Sequence, residues 1–411
     1  MHLGYENPRQ EYELDGTVLS ETSKERDLGV VIDTPKFSRK DKSTKDLNVQ
    51  GDLKRKSCDI AEEGESSKKY MRKIDSSSTP IDSLRNGYLW VSDFSKQLWC
   101  EQQMEYTYLL PKSVVKELET DEAKKGTDFH LARELEVQEY VDIKVESNED
   151  IFAVKVLNLV IALKKLQRQT DLVHREVPIF GLVKGVFVIG KIDEIRMDDV
   201  DFTIDIVDLK TRKFKALPKK SQKATHSLQL MIYKQLFDDL VRGLLPRHSM
   251  SKILKLDLTK ALGADIVKHI TQDMRHLEFP KPPEGKWHLS ALLDETRATA
   301  EGLPFISRLF NEYVWQEDGE SFAMDEIKYD DQWLDKQVGR CISYWTGQRE
   351  ASGVDVEDAW KCHSCNFQDD CSWISKKLQE RKEELKRRED EKKSDTCKRT
   401  TIMYNNKDKG C

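Results

Sequence analysis

The stretch GVFVIGKIDEI at residues 185–195 has two interpretations, and the choice between them decides the fold. Gly185, Gly190 and Lys191 match a phosphate-binding loop, G-x-x-x-x-G-K-[ST], but an isoleucine at its last position offers no hydroxyl to magnesium. The interior, VFVI, consists of strand-forming residues, whereas a phosphate loop needs a flexible glycine-rich turn. The sequence therefore predicts a β-strand, and Asp193 becomes the residue that needs an explanation.

A second predicted strand, DFTIDIVDLKTR at residues 201–212, follows the first after the acidic stretch MDDVD. If the two strands form a tight antiparallel hairpin, Asp193 lies across from Asp208 or from the residue before it. Asp208 and Lys210 are two positions apart and share one face of the strand, while Asp205 points to the other face. The hairpin therefore brings two carboxylates and an ammonium group together.

Such a trio has a specific use in phosphodiester chemistry. Two buried carboxylates repel each other unless a cation such as Mg²⁺, which prefers oxygen ligands, lies between them. The metal and Lys210 can then orient a water molecule, help to deprotonate it and stabilise charge on an attacked phosphate. The alternative is a surface hairpin with an ordinary Lys–Asp pair.

The surroundings favour the first interpretation. Arg212 follows directly, and the segment KFKALPKKSQK at residues 213–223 adds Lys213, Lys215, Lys219, Lys220 and Lys223. These residues form a local site of positive charge for a nucleic-acid backbone, although the whole chain has a net charge of −6. Gln229 and Tyr233, one turn apart on the predicted helix THSLQLMIYKQLFDDLV, can point together at the same strands. Taken alone, Tyr233 would be a core aromatic residue and Gln229 a surface residue.

Other elements are predicted around the hairpin. One helix, capped by Ser92 or Asp93, carries an apolar stripe and contains Cys100. Another, GTDFHLARELEVQEYV, places His130 and Glu134 on one face. The remaining predictions are helices at residues 149–167 and 331–347 and strands at residues 171–181 and 321–329. Residues 244–320 give no pattern that we can interpret.

The composition indicates a folded core with polar tails, since 35% of the residues are charged and 38% are hydrophobic. Residues 1–85 are predicted to be disordered, and residues 376–411 form a charged tail that is either a solvated helix or disordered. The basic clusters at residues 54–56 and 68–69 have the spacing of a bipartite nuclear-import signal, or they are a solvated part of the tail. No apolar run of about eighteen residues exists, so we expect no membrane span.

Three cysteines near the end of the core indicate a metal site. Cys362, Cys365 and Cys371 follow the pattern C-x₂-C-x₅-C, and three thiolates require a fourth ligand. The neighbouring His363 would complete a zinc site, whereas a distant cysteine, for which Cys100 is the natural candidate, would complete an iron–sulfur site. The other four cysteines are interpreted as bystanders: Cys58, Cys341, Cys397 and Cys411.

Together these motifs resemble the exonuclease V (defects in morphology 1) family, single-strand DNA exonucleases in the RecB-type branch of the PD-(D/E)xK nucleases. The resemblance covers residues 89–373 and is most specific in LWCEQQMEYTYLLPK, FGLVKGVFVIGKIDEI, VDLKTR, SLQLMIYKQLFD and GVDVEDAWKCHSC. It implies an α/β, restriction-endonuclease-like (PD-(D/E)xK) core with flanking helices and an iron–sulfur clamp, within a nuclease domain at residues 86–375.

The resemblance also assigns roles to residues. The ligands of a [4Fe–4S] cluster match Cys100, Cys362, Cys365 and Cys371. The metal-binding acids match Asp193 and Asp208, the catalytic lysine matches Lys210, the Gln and Tyr of the RecB-type motif match Gln229 and Tyr233, and a metal-associated histidine matches His130. The family commonly has Glu where this chain has Asp208, one methylene shorter, and we expect activity to survive.

The resemblance implies a Mg²⁺-dependent exonuclease that degrades single-stranded DNA from an end and acts in DNA repair. Its expected DNA contacts are Arg212, Lys219, Lys220, Lys223, Gln229 and Tyr233. We expect a monomer in the nucleus, with the cytoplasm as a second location, that binds single-stranded DNA and a single-strand DNA-binding protein such as replication protein A. The alternatives are a catalytically inactive DNA-binding scaffold and a zinc-stabilised interaction protein.

Overall fold

The computed structural model describes residues 2–3, 12–14, 17–19, 71–72, 77–137, 140–141 and 143–407. The predicted import signal, at residues 54–56 and 68–69, lies outside the described residues. Near the start of the chain, His2–Leu3 pairs with Tyr140–Val141, and Tyr12–Leu14 pairs with Thr17–Leu19. No helix among the described residues is long and apolar enough to cross a membrane.

A mixed six-stranded sheet forms the centre of the molecule. Its strands are β1 (Leu89–Trp90), β2 (Val173–Val183), β3 (Val186–Met197), β4 (Ile204–Arg212), β5 (Ile306–Trp315) and β6 (Ser321–Glu326). The order is β6-β5-β4-β3-β1, and β2 pairs with the other edge of β3. The pairs β4–β5 and β1–β3 are parallel, and the remaining pairs are antiparallel.

The hairpin of β2 and β3 shows whether residues 185–195 form a phosphate-binding loop or a strand. Its two-residue turn is Lys184 and Gly185, whose φ angles are 47° and 81°. Two positive φ angles are what a type I′ turn requires, and the second one suits glycine. Gly185 therefore makes a turn, and the residues after it form a continuous strand, as predicted.

Along the edge opposite β2, strand β3 pairs with two different strands. We call the point between these two pairings the fork of the sheet. Residues 194–197 pair with β4, whereas residues 188–189 pair with β1. Between them lies Gly190, where an added Cβ would come within 2.6 Å of the Tyr233 ring and 2.7 Å of Val91. Two helices thus approach the backbone closely at the fork, directly before Asp193.

Helices cover the sheet. They are α1 (Pro80–Arg85), α2 (Val91–Trp99), α3 (Glu101–Leu109), α4 (Lys112–Glu117), α5 (Asp121–Val137), α6 (Asn148–Arg168), α7 (Lys220–Val241), α8 (Arg247–Leu254), α9 (Ala264–Lys268), α10 (Leu289–Ala300), α11 (Asp331–Trp345) and α12 (Ser372–Lys407). The chain also contains a π-helix, His269–Asp273, and 3₁₀ segments at Arg275–Leu277 and Val356–Ser364. The apolar helix α6 is buried along most of its length, and α7 packs against β2, β4, β5 and α2.

Several predicted boundaries are wrong. Cys100 does not lie inside a helix, because its extended backbone (φ −164°, ψ 110°) separates α2 from α3. The cap of α2 is also different: the helix begins at Val91, and the Asp93 carboxylate accepts a hydrogen bond from the Trp90 N–H at 2.7 Å. Helix α1 lies before residue 86, inside the segment predicted to be disordered, and its N-cap Thr79 accepts a hydrogen bond from the Asp82 N–H.

Candidate active site

The fork in the sheet brings the predicted carboxylates and lysine together. Glu194 pairs with Val207, which places Asp193 next to Asp208 across the two strands. The Asp193 carboxylate accepts a hydrogen bond from the Leu209 N–H at 3.0 Å. The Lys210 ammonium lies 2.8 Å from the Asp208 carboxylate. The register predicted from the hairpin is therefore confirmed.

The Asp208 carboxylate is buried and has few partners. Only 1% of this residue is exposed, and apart from Lys210 its oxygens have no hydrogen-bond partner among the described residues. Its pKa is raised to about 7, because burial and the charge of Asp193 outweigh the lowering effect of Lys210. A buried carboxylate whose oxygens are free to bind a ligand, next to a second carboxylate, is suited to bind a divalent cation.

Two more groups complete a candidate metal site. The His130 Nδ1 atom of α5 lies 3.5 Å from a Glu176 oxygen and 3.9 Å from an Asp193 oxygen. The ligand atoms of these three residues all lie within 4.8 Å of one another. Burial lowers the pKa of His130, but the charges of Asp193 and Glu176 outweigh this effect and raise it. The structure thus places His130 beside Glu176 and Asp193, while its role at a metal stays a prediction of the family resemblance.

Glu176 is a site residue that the sequence analysis missed. Its φ angle is +54°, which is unusual for a glutamate in a strand and interrupts the regular alternation of β2. Lys191 forms an ion pair with it. The missed signal was the turn at Lys184 and Gly185, because a tight hairpin centred there places Glu176 directly across from Asp193.

An ionic network holds α5, and with it His130, against the sheet. Arg175 donates to Glu194 at 2.7 Å, and Arg133 of α5 lies 3.4 Å from Glu194 and 3.3 Å from Glu312. The Arg175 guanidinium also donates to the Arg133 carbonyl. Since Glu194 and Glu312 are both less than a tenth exposed, these pairs fix the helix position.

Gln229 and Tyr233 of α7 lie on the other side of Lys210. The Lys210 ammonium donates to the Gln229 amide oxygen at 3.3 Å, and the Gln229 nitrogen donates to the Tyr233 hydroxyl at 3.4 Å. Burial, followed by the charges of Asp193 and Asp208, raises the pKa of Tyr233 well above its usual value. Both residues therefore belong to the site, as the helical spacing predicted.

Strand β5 adds polar residues that no sequence pattern indicated. Asn311 is the β5 partner of Asp208, is fully buried, and has no hydrogen-bond partner for its amide among the described residues. Above this strand lies His226 of α7, whose ring is 6.2 Å from that of Tyr313. Burial, then Lys210, Arg212 and Lys223, lowers the pKa of His226 to about 3. Polar side chains therefore extend from Asp208 across β5 towards α7.

The basic residues lie at one end of α7, but several are engaged by acids. Helix α7 begins at Lys220, so Lys220 and Lys223 belong to its first turn instead of a loop. Lys223 pairs with Asp325, Lys213 with Glu122 and Lys215 with Asp318, at 2.5, 2.6 and 3.1 Å. The Lys219 ammonium lies 3.9 Å from the centre of the Trp360 ring. The Arg212 guanidinium donates to the Ala216 carbonyl at 3.2 Å.

The four predicted cluster ligands are also neighbours. The pKa of the Cys100 thiol is raised to about 11, mainly by burial and also by the charges of Cys365, Cys371 and Cys362. Cys365 and Cys371 pack against a small apolar cluster of Tyr106, Leu110 and Phe367. His363 is exposed, and Cys341 is buried in the main core, so neither shares this surrounding.

The segment that contains Cys362, Cys365 and Cys371 contacts α2 and α3 directly. The Lys361 ammonium donates to the Trp99 carbonyl at 3.1 Å and lies 4.4 Å from the Trp99 ring centre. The Tyr106 hydroxyl accepts a hydrogen bond from the Ser372 N–H at 3.1 Å. These contacts involve the neighbours of Cys100, Cys362 and Cys371 in the sequence.

The fold and the site define an α/β protein in which carboxylates, a histidine and a lysine converge at a fork of a mixed sheet. These are the residue types of a hydrolytic metal site. Comparison with known proteins identifies the family. The family described as "Exonuclease V - a 5' deoxyribonuclease" matches residues 79–205, 199–285 and 284–374. "Exonuclease V" of Danio rerio is 33% identical over 301 residues, which are 73% of this chain and 73% of that protein.

The chain therefore belongs to the exonuclease V family and is a nuclease. A solved structure described as "Crystal structure of SSO0001" shares 13% sequence identity over 70% of this chain and 86% of that chain, with a TM-score of 0.28. A likeness of that size carries no argument about this protein.

Proposed function

We propose that this protein is a magnesium-dependent exonuclease that hydrolyses single-stranded DNA from its 5′ end and acts in nuclear DNA repair. The observation that carries the proposal is the meeting of Asp193, Asp208, Glu176 and Lys210 at one fork of the sheet. The polarity follows the description of the family. The nuclear location rests on the two basic clusters of the N-terminal tail.

The three carboxylates, with His130, would hold Mg²⁺. A bound Mg²⁺ supplies a Lewis acid and lowers the pKa of a coordinated water molecule. Burial lowers the pKa of Lys210, but Asp208 and Asp193 outweigh burial and raise it, so the ammonium stays charged. Held between Asp208 and Gln229, this charge can stabilise the negative charge that develops on the attacked phosphate.

The residues also favour a [4Fe–4S] cluster over a single zinc ion at the cysteines. The three cysteines at residues 362–371 do not form the two close pairs of a usual zinc module, and the fourth, Cys100, comes from a distant part of the chain, as in some iron–sulfur sites. Cys100 lies near enough to Cys362, Cys365 and Cys371 for their charges to act on its thiol. The role of such a cluster would be structural. The core around it would then be the restriction-endonuclease-like fold that the family resemblance implies.

A degradation assay tests the proposal. Purified protein with Mg²⁺ is given single strands with a free 5′ end, single strands with a blocked 5′ end, and blunt duplexes, each labelled internally. We expect degradation of the free-ended single strand alone. Binding of single strands without cleavage in any divalent metal would instead identify an inactive scaffold. Equal cleavage of the blocked strand would contradict the proposed 5′ polarity, and cleavage of a circular single strand would contradict the exonuclease assignment.

A further inference from the structure

The segment between β4 and α7 presents an aromatic ring to solvent. Phe214 is 70% exposed and lies between Lys213 and Lys215. Phenylalanine is usually buried, because removing its apolar surface from water stabilises the folded state. An exposed ring therefore contributes little to folding at this position and is available to a ligand.

The backbone around this ring is held in place. The Trp315 indole donates to the Lys213 carbonyl at 3.1 Å, and the Gln316 N–H donates to the Arg212 carbonyl at 2.9 Å. On the other side of Phe214, the Ala216 carbonyl accepts the hydrogen bond from Arg212 at 3.2 Å. The ring is therefore presented by an anchored turn, and little backbone entropy would be lost when a ligand contacts it.

The Phe214 ring lies close in the sequence to Lys210, the proposed catalytic lysine on β4. Phe214 follows Lys210 by four residues, which is at most about 13 Å of extended chain. The ion pairs of Lys213 with Glu122 and of Lys215 with Asp318 are exposed. Exposed pairs of this kind are weak, so both lysines can exchange their acids for phosphates. A strand whose phosphate lies at Lys210 would thus pass beside an aromatic ring flanked by positive charge.

We propose that Phe214 is a stacking platform for one base of the bound single strand. This inference rests on the proposed function. Proteins that bind single strands without sequence preference combine positive charge along the backbone with aromatic rings on which bases stack, because every base has a π-face. Phe214 would hold the strand at the catalytic site without selecting a sequence.

The test combines a protein variant with a DNA variant. Binding of a normal oligonucleotide and of an abasic oligonucleotide of the same length is measured by fluorescence anisotropy without magnesium, over a range of salt concentrations. Phe214→Ala should weaken binding of the normal strand by about fivefold or more, the range expected for one stacked base. It should leave the abasic strand and the salt dependence unchanged, and Phe214→Trp should restore binding.

Phe305→Ala is the matched control. Phe305 is 49% exposed and precedes β5, whereas Trp315 at the end of that strand lies beside the Phe214 turn. It should bind both strands like the wild type. An equal loss on the abasic strand, or no loss on the normal one, would overturn the stacking proposal while cleavage by the wild type keeps the proposed function. A wild-type protein that neither binds nor cleaves single strands would overturn both.

Discussion

Lys210 provides the sharpest test of the catalytic assignment at the scale of single residues. Its ammonium contacts Asp208 and Gln229, while phosphate affinity comes mostly from the surrounding basic residues. Lys210→Ala and Asp193→Ala should each lower single-turnover cleavage by about a hundredfold to a thousandfold, the scale of removing one electrostatic interaction with a transition state. Binding measured by anisotropy should change by only a few fold.

Variants of neighbouring acids make the comparison stricter. Asp208→Glu should keep measurable cleavage because it keeps the charge, whereas Asp208→Asn should not. Glu176→Gln should behave like Asp208→Asn, since Glu176 lies in the same group of ligand atoms as Asp193. Near-normal turnover by Asp193→Ala would contradict the assignment of the whole site.

The raised pKa of Asp208 predicts how magnesium use depends on pH. Burial raises this pKa to about 7, so the carboxyl is mostly protonated below that pH and mostly ionised above it. Mg²⁺ binds the ionised form, so its apparent affinity should rise roughly tenfold per pH unit up to about pH 7 and then level off. The measurement is the half-saturating magnesium concentration for cleavage one unit below, at, and one unit above this pH. A half-saturating concentration that does not change with pH would contradict the prediction.

Replacing Asn311 by leucine should keep or raise the stability of the protein and lower its activity. A buried amide without a partner costs about 1–3 kcal/mol, and a leucine, which is branched at the same carbon and has no polar group, removes that cost. Asn311→Leu should therefore melt at the same temperature as the wild type or higher, yet cleave at least about tenfold more slowly, because the amide is the polar neighbour of Asp208 in β5. Asn158→Leu, a buried asparagine on α6, is the control and should leave cleavage unchanged. Normal cleavage by Asn311→Leu would remove Asn311 from the site.

At the scale of elements, the first turn of α7 should bind DNA phosphates. Neutralising Lys219, Lys220 and Lys223 together should reduce the slope of log affinity against log salt, by about 0.7 for each phosphate that the protein no longer neutralises. Because Lys223 pairs with Asp325, we expect a reduction between about 1.4 and 2.1. A triple alanine variant of Lys376, Lys377 and Lys382 on α12 is the control. Equal slopes in the two variants would place the DNA path elsewhere.

Local patterns predicted the elements that carry the chemistry, because their signals are short-range. The run of strand-forming residues before Asp193 and the helical spacing of Gln229 and Tyr233 were sufficient to predict β3 and α7. Strand β5 was missed because it pairs with β4 in parallel, after a connection that includes α7 and α10, and nothing in its own sequence indicates that partner. Cys100 was placed inside one helix because the apolar stripe continues through it, and only the backbone reveals the break.

At the scale of the whole molecule, the start and the end of the nuclease region lie together. The Glu101 carboxylate, directly after Cys100, accepts hydrogen bonds from the Ser352 N–H at 2.8 Å and from the Arg349 guanidinium. Glu101 is only 5% exposed, and the Arg349 contact together with those of Ser352 and Gln97 lowers its pKa although burial raises it. The protein alone therefore brings the two ends together, and a metal cluster would strengthen an existing junction.

A cluster at this junction should stabilise the entire fold. Cys100 and Cys362 are 262 residues apart, and the entropy cost of closing a loop grows only slowly with its length, so metal–ligand bonds can exceed that cost. Cys100→Ala should lose iron and visible absorbance and should lower the melting temperature by about 5 °C or more, since each kcal/mol shifts it by roughly 2–4 °C in a domain of this size. Single-strand binding should weaken as well, although Cys100 is far in sequence from Asp193. Cys58→Ala should change none of these properties. If Cys100→Ala retains the full iron content of the wild type, Cys100 is not the fourth ligand, and His363 becomes the candidate.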